Sequence, residues 1–455
     1  MGRVRFALSL LGGLAAMAGS AHAAPAALPS IECPKTLPEE SRCFAGADAN
    51  GAYDWIVIPP KTGPNAWNGS LVVHTHGGPS LKKPFLEESV PDLERFIVTV
   101  QEGFAWAGSS YRHAGFGVRD AAADSDNLRQ IFWTQFGRPK HTLLHGQSWG
   151  GSVAAKTAEL YGKDASGKPT YDGVILTSGV LGGGTKSYDF RADLRAVYQF
   201  YCHNMPGPGE MPYPLWQGLP VGEKLKREEV AVRINQCTGV DLPAASRTPG
   251  QQRSLDNILN VIHIPARTLF SHMDWATFTF RDLVGRQLHG DNPFSNTGVI
   301  YKGSDDDAAL NKGVERFAAT QAGVDALAAD ADLTGRLTVP TVTLHAKDDP
   351  TAFVELEHEF HETVTKAGAQ ALLVQSFTDE HEHQKEATPE YAALFRAMIA
   401  WIEKGRQPTV ETLAAECERA RATYGEACHF DPAFFPKPLS SRVYSRVKPT
   451  PTPAK

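Results

Sequence analysis

The chain has 455 residues, a formal net charge of −6 at pH 7 and 42% hydrophobic residues. So mild an acidic balance, with no run of like charge longer than Asp305-Asp306-Asp307, gives no grip for a nucleic-acid partner or an anionic membrane surface. The length allows one large domain with an insertion, or two domains.

The chain opens with Arg3 and Arg5, an apolar run from Phe6 to Met17, and small residues ending in Ala21-His22-Ala23. This is the pattern of a secretory signal peptide over residues 1–23, cleaved after Ala23. The apolar run is too short to cross a bilayer, and no later run is longer. The protein is therefore expected to be exported, to the periplasm or beyond the cell, with no membrane anchor after cleavage. Its six cysteines are Cys33, Cys43, Cys202, Cys237, Cys417 and Cys428. An even count in an exported chain points to disulfides. Pairing between neighbours (Cys33 with Cys43, Cys202 with Cys237, Cys417 with Cys428) closes the shortest loops at the lowest entropic cost. None of the six forms a C-x-x-C pair, so neither zinc nor thioredoxin-like redox chemistry is expected, and no cofactor is called for.

Residues 24–50 are rich in Pro and Ala and read as irregular. Tyr53 to Ile58 and Leu71 to His74 read as strands, the second running directly into Thr75-His76-Gly77-Gly78-Pro79. A helix is expected from Val90 to Glu102, a strand from Phe104 to Tyr111, and a helix from Asp120 to Phe136. The next strand, Thr142 to His145, turns through Gly146-Gln147-Ser148-Trp149-Gly150 into an alanine-rich helix, Gly151 to Tyr161. This is a G-x-S-x-G sequence between a strand and a helix. There the serine sits at the tip of a sharp, strained turn, and the glycines stand where two backbones pass too close for a Cβ.

Gly173 to Ser178 is the following buried strand, and the alternation of strands and helices argues for a parallel sheet wrapped by helices. The rhythm then stops. Residues 181–336 offer helical segments such as Leu194 to Tyr201 and Ser254 to Ile262, Pro-rich links, and many aromatics, among them Trp216 and Trp275. They read as a largely helical insertion. The Asp305 to Asp307 triplet reads as an acidic helix start rather than a metal site. The sheet resumes at Val339 to Leu344, followed by His345-Ala-Lys-Asp348-Asp349-Pro350. A helix from Phe353 to Lys366, a last strand from Ala371 to Phe377, the loop Thr378-Asp-Glu-His381-Glu-His383-Gln384, and a helix from Pro389 to Glu403 complete the order. Residues 406–455 read as a C-terminal extension whose proline-rich end is disordered.

From about Tyr53 to Gly405 the chain resembles the α/β-hydrolase superfamily, and looks similar to its secreted bacterial serine esterases with a cap domain. The motifs that carry the resemblance are the elbow around Ser148, His74-Thr-His-Gly-Gly78 after an early strand, an acid after a late strand, and a histidine after the last one, in the order Ser, Asp, His. The resemblance implies an α/β-hydrolase core over residues 24–180 and 337–405, with residues 181–336 as an inserted cap. It implies Ser148 as nucleophile, and an oxyanion hole from the backbone of Trp149 and of His76 or Gly77. Asp349 is favoured over Asp348 because the acid in such enzymes commonly stands three residues past a small residue, here Ala346 in place of the usual glycine, and often precedes a proline. His383 is favoured over His381, the second choice, by its closeness to the following helix. The implied activity is hydrolysis of carboxylic esters, small or oligomeric, through an acyl-enzyme. A peptidase or amidase on the same fold, or a non-catalytic binding protein, are the alternatives.

Overall fold

The computed structural model describes residues 26–453, so the signal peptide read over residues 1–23 lies outside the described residues. The apolar runs become a nine-stranded sheet in the order β1-β2-β3-β5-β4-β6-β7-β8-β9. Its strands are β1 Ser30–Ile31, β2 Arg42–Ala47, β3 Tyr53–Ile58, β4 Leu71–Thr75, β5 Ala105–Ser109, β6 Thr142–Gln147, β7 Gly173–Thr177, β8 Thr341–Ala346 and β9 Leu373–Thr378. From β5 to β9 every neighbouring pair is parallel, while β1, β2 and β3 run antiparallel at one edge. This is the α/β-hydrolase architecture.

The parallel strands are buried on both faces, which is why they read as continuous apolar runs. Successive side chains alternate between two cores. Leu71, Val73, Leu144, Val174 and Leu176 face one, whereas Val72, Leu143 and Ile175 face the other. The helices Val118–Phe136 and Trp149–Tyr161 cover the first face, and Thr388–Lys404 the second. The last of these carries Pro389 in its first turn and stops at Gly405, whose left-handed φ of 63° ends the helix.

The chain visits β4, then β5 on one side, then β6 on the other, so the strand order reverses at β4. In open α/β sheets the crevice beyond the carboxyl ends of strands at such a point is where ligands bind. Here those ends deliver His76-Gly77 from β4 and Ser148 from β6.

Among the described residues no strand occurs between β7 and β8. The stretch holds helices including Asp189–Cys202, Arg227–Thr238, Pro249–Ile262 and Gln321–Ala331. Their apolar side chains form one core with Tyr111, Phe116 and Trp149 of the sheet domain, so the helical layer rests directly on the turn around Ser148. The Asp305 to Asp307 triplet serves local structure: Asp306 caps Asp307–Gly313 by accepting from the Ala309 N–H, and Asp307 accepts from Ser304.

Three expectations are corrected. Residues 24–50 are not irregular throughout, because β1 and β2 extend the sheet from β3, with Cys43 opposite Val57 and Phe44 opposite Ile56. The run Arg-Cys-Phe-Ala-Gly-Ala has no strong period of its own, and the free edge of β3 supplies the order. Nor is the proline-rich end loose up to residue 453. Arg446 pairs with the buried Asp193 at 2.9 Å, Lys448 with Asp189 at 3.1 Å, and Thr452 donates its N–H to Asp325, tying the tail to the helical layer. Buried carboxylates on the first two turns of Asp189–Cys202 need those cations, and composition alone does not reveal that need. In addition, the helix expected from Val90 to Glu102 is two short ones, Val90–Arg95 and Val98–Gln101. The cysteines are joined as Cys33–Cys43, Cys202–Cys237 and Cys417–Cys428.

Candidate active site

Ser148 has φ 57° and ψ −126°, a conformation that L-residues rarely adopt and that a fold holds only by over-determining it. The over-determination is visible at the glycines. A Cβ on Gly146 would come within 2.3 Å of the Gly150 carbonyl oxygen, and one on Gly150 within 2.1 Å of the Thr75 carbonyl oxygen. The elbow is thus wedged between β6, its own helix and the end of β4, and Ser148 projects from the tip.

His383, in the loop after β9, places Nε2 2.9 Å from Ser148 Oγ and Nδ1 2.5 Å from Asp349 Oδ2. Asp349 is buried, and its Oδ1 accepts the backbone N–H groups of Thr351 at 2.8 Å and Ala352 at 2.9 Å. With Nδ1–H donated to the carboxylate, His383 Nε2 is left as the acceptor that faces the serine hydroxyl. Asp348 and His381 form a second pair at 2.6 Å, but their side chains are 59% and 63% exposed and point away to solvent. The structure therefore brings Ser148, Asp349 and His383 together and leaves His381 and Asp348 outside.

Sequence reasoning missed what lies behind Asp349. His345, at the end of β8, is fully buried, with Nε2 3.4 Å from Asp349 Oδ2 and Nδ1 3.3 Å from Glu357 Oε1. Burial works against its charge, but hydrogen bonds and charges from Asp349 and Glu357 win and raise its pKa to about 10. Burial likewise opposes ionisation of Asp349, yet the His383 charge and hydrogen bonds from His345 and His383 hold its carboxyl well below the usual carboxylate range. Glu357 is fixed in turn by Thr343 Oγ1 at 2.9 Å and Gln375 Nε2 at 2.7 Å. The only sequence trace of this support is the alternation that puts Thr343 and His345 on one face of β8.

Gly77 and Trp149 line a cavity of about 370 Å³ together with Ser148 and His383, whereas His76 does not. His76 is buried behind it, stacked on Tyr111 at 4.3 Å, and burial lowers its pKa. A Cβ on Gly77 would sit 2.4 Å from Gln147 Nε2, so a side chain there would crowd the residue preceding the serine. Gln384 adds a second contact to His383 Nε2, at 2.9 Å, and its Oε1 accepts from Arg95 at 2.5 Å. His145 lies deeper, 3.1 Å from His74, whose other nitrogen contacts Asp92 at 2.9 Å.

The helical layer closes the far wall with Tyr188, Arg191 and Trp275. Trp275 opens a π-helical stretch, Trp275–Thr279, and its ring stacks on Tyr188 at 4.6 Å. Trp216 packs into the core of the layer and does not reach the cavity. A larger cavity of about 730 Å³, between Leu181, Asp332 and Lys366, contains none of these groups. Chemically, the smaller cavity combines a strained hydroxyl, a base in contact with it, an ionised carboxylate behind the base, and two backbone segments beside the serine.

No family model matches the chain, and no curated protein matches it. Among solved structures it is similar to an esterase from Aspergillus oryzae, at 14% identity and a TM-score of 0.42, over 81% of this chain and 80% of that one. It is also similar to feruloyl esterase B from Aspergillus oryzae, at 12% identity and a TM-score of 0.42, over 84% of this chain and 86% of that one. A third is the rice cell wall degrading esterase LipA from Xanthomonas oryzae, at 15% identity and a TM-score of 0.36, over 75% of this chain and 83% of that one.

Proposed function

We propose that this protein is an exported serine hydrolase that cleaves carboxylic esters, with Ser148 as nucleophile, His383 as general base and Asp349 as the acid that orients it. One observation carries the reading: the unbroken contact from Ser148 to His383 to Asp349, at 2.9 and 2.5 Å, on a strained elbow beside a cavity.

The steps follow from the groups. Ser148 Oγ attacks the ester carbon while His383 Nε2 takes its proton, and Asp349 stabilises the imidazolium that forms. The carbonyl oxygen becomes an oxyanion, received by the N–H groups of Trp149 and Gly77. Each such donor typically contributes about 3 kcal/mol to the transition state. His383 then returns its proton to the departing alcohol. Water, activated by the same histidine, releases the acid and restores Ser148.

A cavity of about 370 Å³ is large enough for a small ester. Residues 181–336 act as a cap over it. Export is supported by the leader-like sequence and by three disulfides, bonds that persist in oxidising compartments. Among the described residues no helix is long and apolar enough to cross a membrane.

The test is labelling with a fluorophosphonate probe, followed by matched ester and peptide substrates. Wild type should label and turn over esters, and Ser148→Ala should lose both. Undiminished ester turnover in purified Ser148→Ala would overturn the proposal.

A further inference from the structure

Arg191 stands in the first turn of Asp189–Cys202, 6% exposed, on the wall of the cavity that holds Ser148. Two other arginines with buried side chains have carboxylate partners, and a third, Arg195, is held by carbonyl oxygens although its Nε also lacks a partner. Arg446 meets Asp193 at 2.9 Å, Arg129 meets Asp126 at 2.8 Å, and Arg195 reaches the carbonyls of Met205 and Gly218 at 3.3 and 3.2 Å. Arg191 has a single long contact, Nη2 to the Thr351 carbonyl at 3.4 Å, while its Nε is buried with no partner. Among the described residues no carboxylate lies within ion-pair distance of it. Its guanidinium carbon lies 4.6 Å from the Phe190 ring centroid and 4.7 Å from that of Trp275. Aromatic faces orient the group, but they do not use its in-plane N–H donors. Burial lowers its pKa to about 10, outweighing the charges of Tyr188 and Asp349, which act to raise it.

Of the other charges on the cavity wall, Asp92 is paired with His74, and Arg95 is exposed and gives one N–H to the Gln384 side-chain oxygen. Arg191 is thus the buried cation of this wall, held in the same space as the serine with donors unused. Planar guanidinium donors match a carboxylate in two parallel hydrogen bonds. We propose that Arg191 is the receptor for a carboxylate carried by the substrate, so that the preferred esters are those with a free carboxylate on the acyl or the alcohol portion. This rests on the ester-hydrolase reading of Ser148.

Two matched pairs test it: p-nitrophenyl hydrogen adipate against its methyl ester, and 4-acetoxybenzoate against methyl 4-acetoxybenzoate. For wild type, the carboxylate member of at least one pair should have a kcat/KM about ten- to a hundredfold higher than its neutral twin, the range expected for charge-assisted hydrogen bonds. Arg191→Met should bring that ratio to one or below, and Arg191→Lys should leave it between the two. A wild-type ratio of one or less in both pairs overturns the proposal, as does a ratio that survives Arg191→Met. Fluorophosphonate labelling of Ser148 reports whether each variant is folded. If Arg191→Met is not, the wild-type ratio and Arg191→Lys decide the question. Turnover of the neutral esters without preference sinks the carboxylate receptor alone. No turnover of any ester and no labelling of wild type would sink the hydrolase reading and this proposal together.

Discussion

Replacing Asp349 by asparagine tests the site at its most buried contact. The asparagine would keep a carbonyl oxygen to accept the N–H groups of Thr351 and Ala352, at 2.8 and 2.9 Å in the wild type, so its amide nitrogen would face His383 Nδ1. A donor there forces His383 to accept at Nδ1 and to carry its proton on Nε2, facing Ser148. The base is then in the wrong tautomer for the serine's proton. The expected loss in kcat is about 10⁴-fold, or about 5.5 kcal/mol of transition-state stabilisation. Asp348→Asn is the control. Its pair with His381 is more than half exposed, and such pairs contribute about 0–1 kcal/mol, so turnover should change by less than about threefold. The assay is kcat and kcat/KM on a neutral aryl ester, with fluorophosphonate labelling and a thermal melt to separate catalysis from folding. A loss of less than tenfold in well-folded Asp349→Asn, or an equal loss in Asp348→Asn, would refute the assignment.

Three further outcomes follow from the structure. The pKa of His345 is raised from an ordinary value of about 6.5 to about 10, so its stabilising contribution is complete below pH 6.5 and disappears as pH rises through 10; Tm should fall over that window and fall less steeply in His345→Gln. Equal slopes in the two proteins would show that His345 is not the group responsible. Trp275→Ala should shift preference toward bulkier esters, whereas Trp216→Ala, in the core of the helical layer, should lower Tm with little change in preference; the reverse pattern in a substrate-size panel would contradict the cavity wall described. Gly150→Ala should fail to form the elbow, because the added Cβ would meet the Thr75 carbonyl oxygen at 2.1 Å, and a variant that labels at the wild-type rate would contradict that geometry.

The sequence by itself determined what local physics controls. Parallel strands buried on both faces must be apolar runs, so β4 to β8 could be read in chain order. The elbow could be read because its glycines answer a backbone approach that no other residue tolerates. The three short disulfide loops could be paired by closure entropy alone.

The resemblance favours Asp349 and His383, but which acid meets which histidine is a matter of tertiary structure. Asp348 with His381 and Asp349 with His383 are chemically equivalent as sequence, and they differ because one pair turns inward and the other outward. Ser148 and His383 stand 235 residues apart, and their contact depends on how β6 and β9 register within one sheet. The same holds for His345 and Glu357 behind Asp349, and for Arg446 and Lys448, which bring a tail that looks loose by composition onto buried carboxylates. It holds most plainly for Arg191, one arginine among many in the sequence. Being buried beside Ser148 with no carboxylate in ion-pair contact is a property of its surroundings, and those are assembled from Tyr188, Trp275 and Thr351 on separate segments of the chain. Periodicity and turn chemistry act over a few residues, whereas the burial and pairing of charge are settled only when distant elements pack.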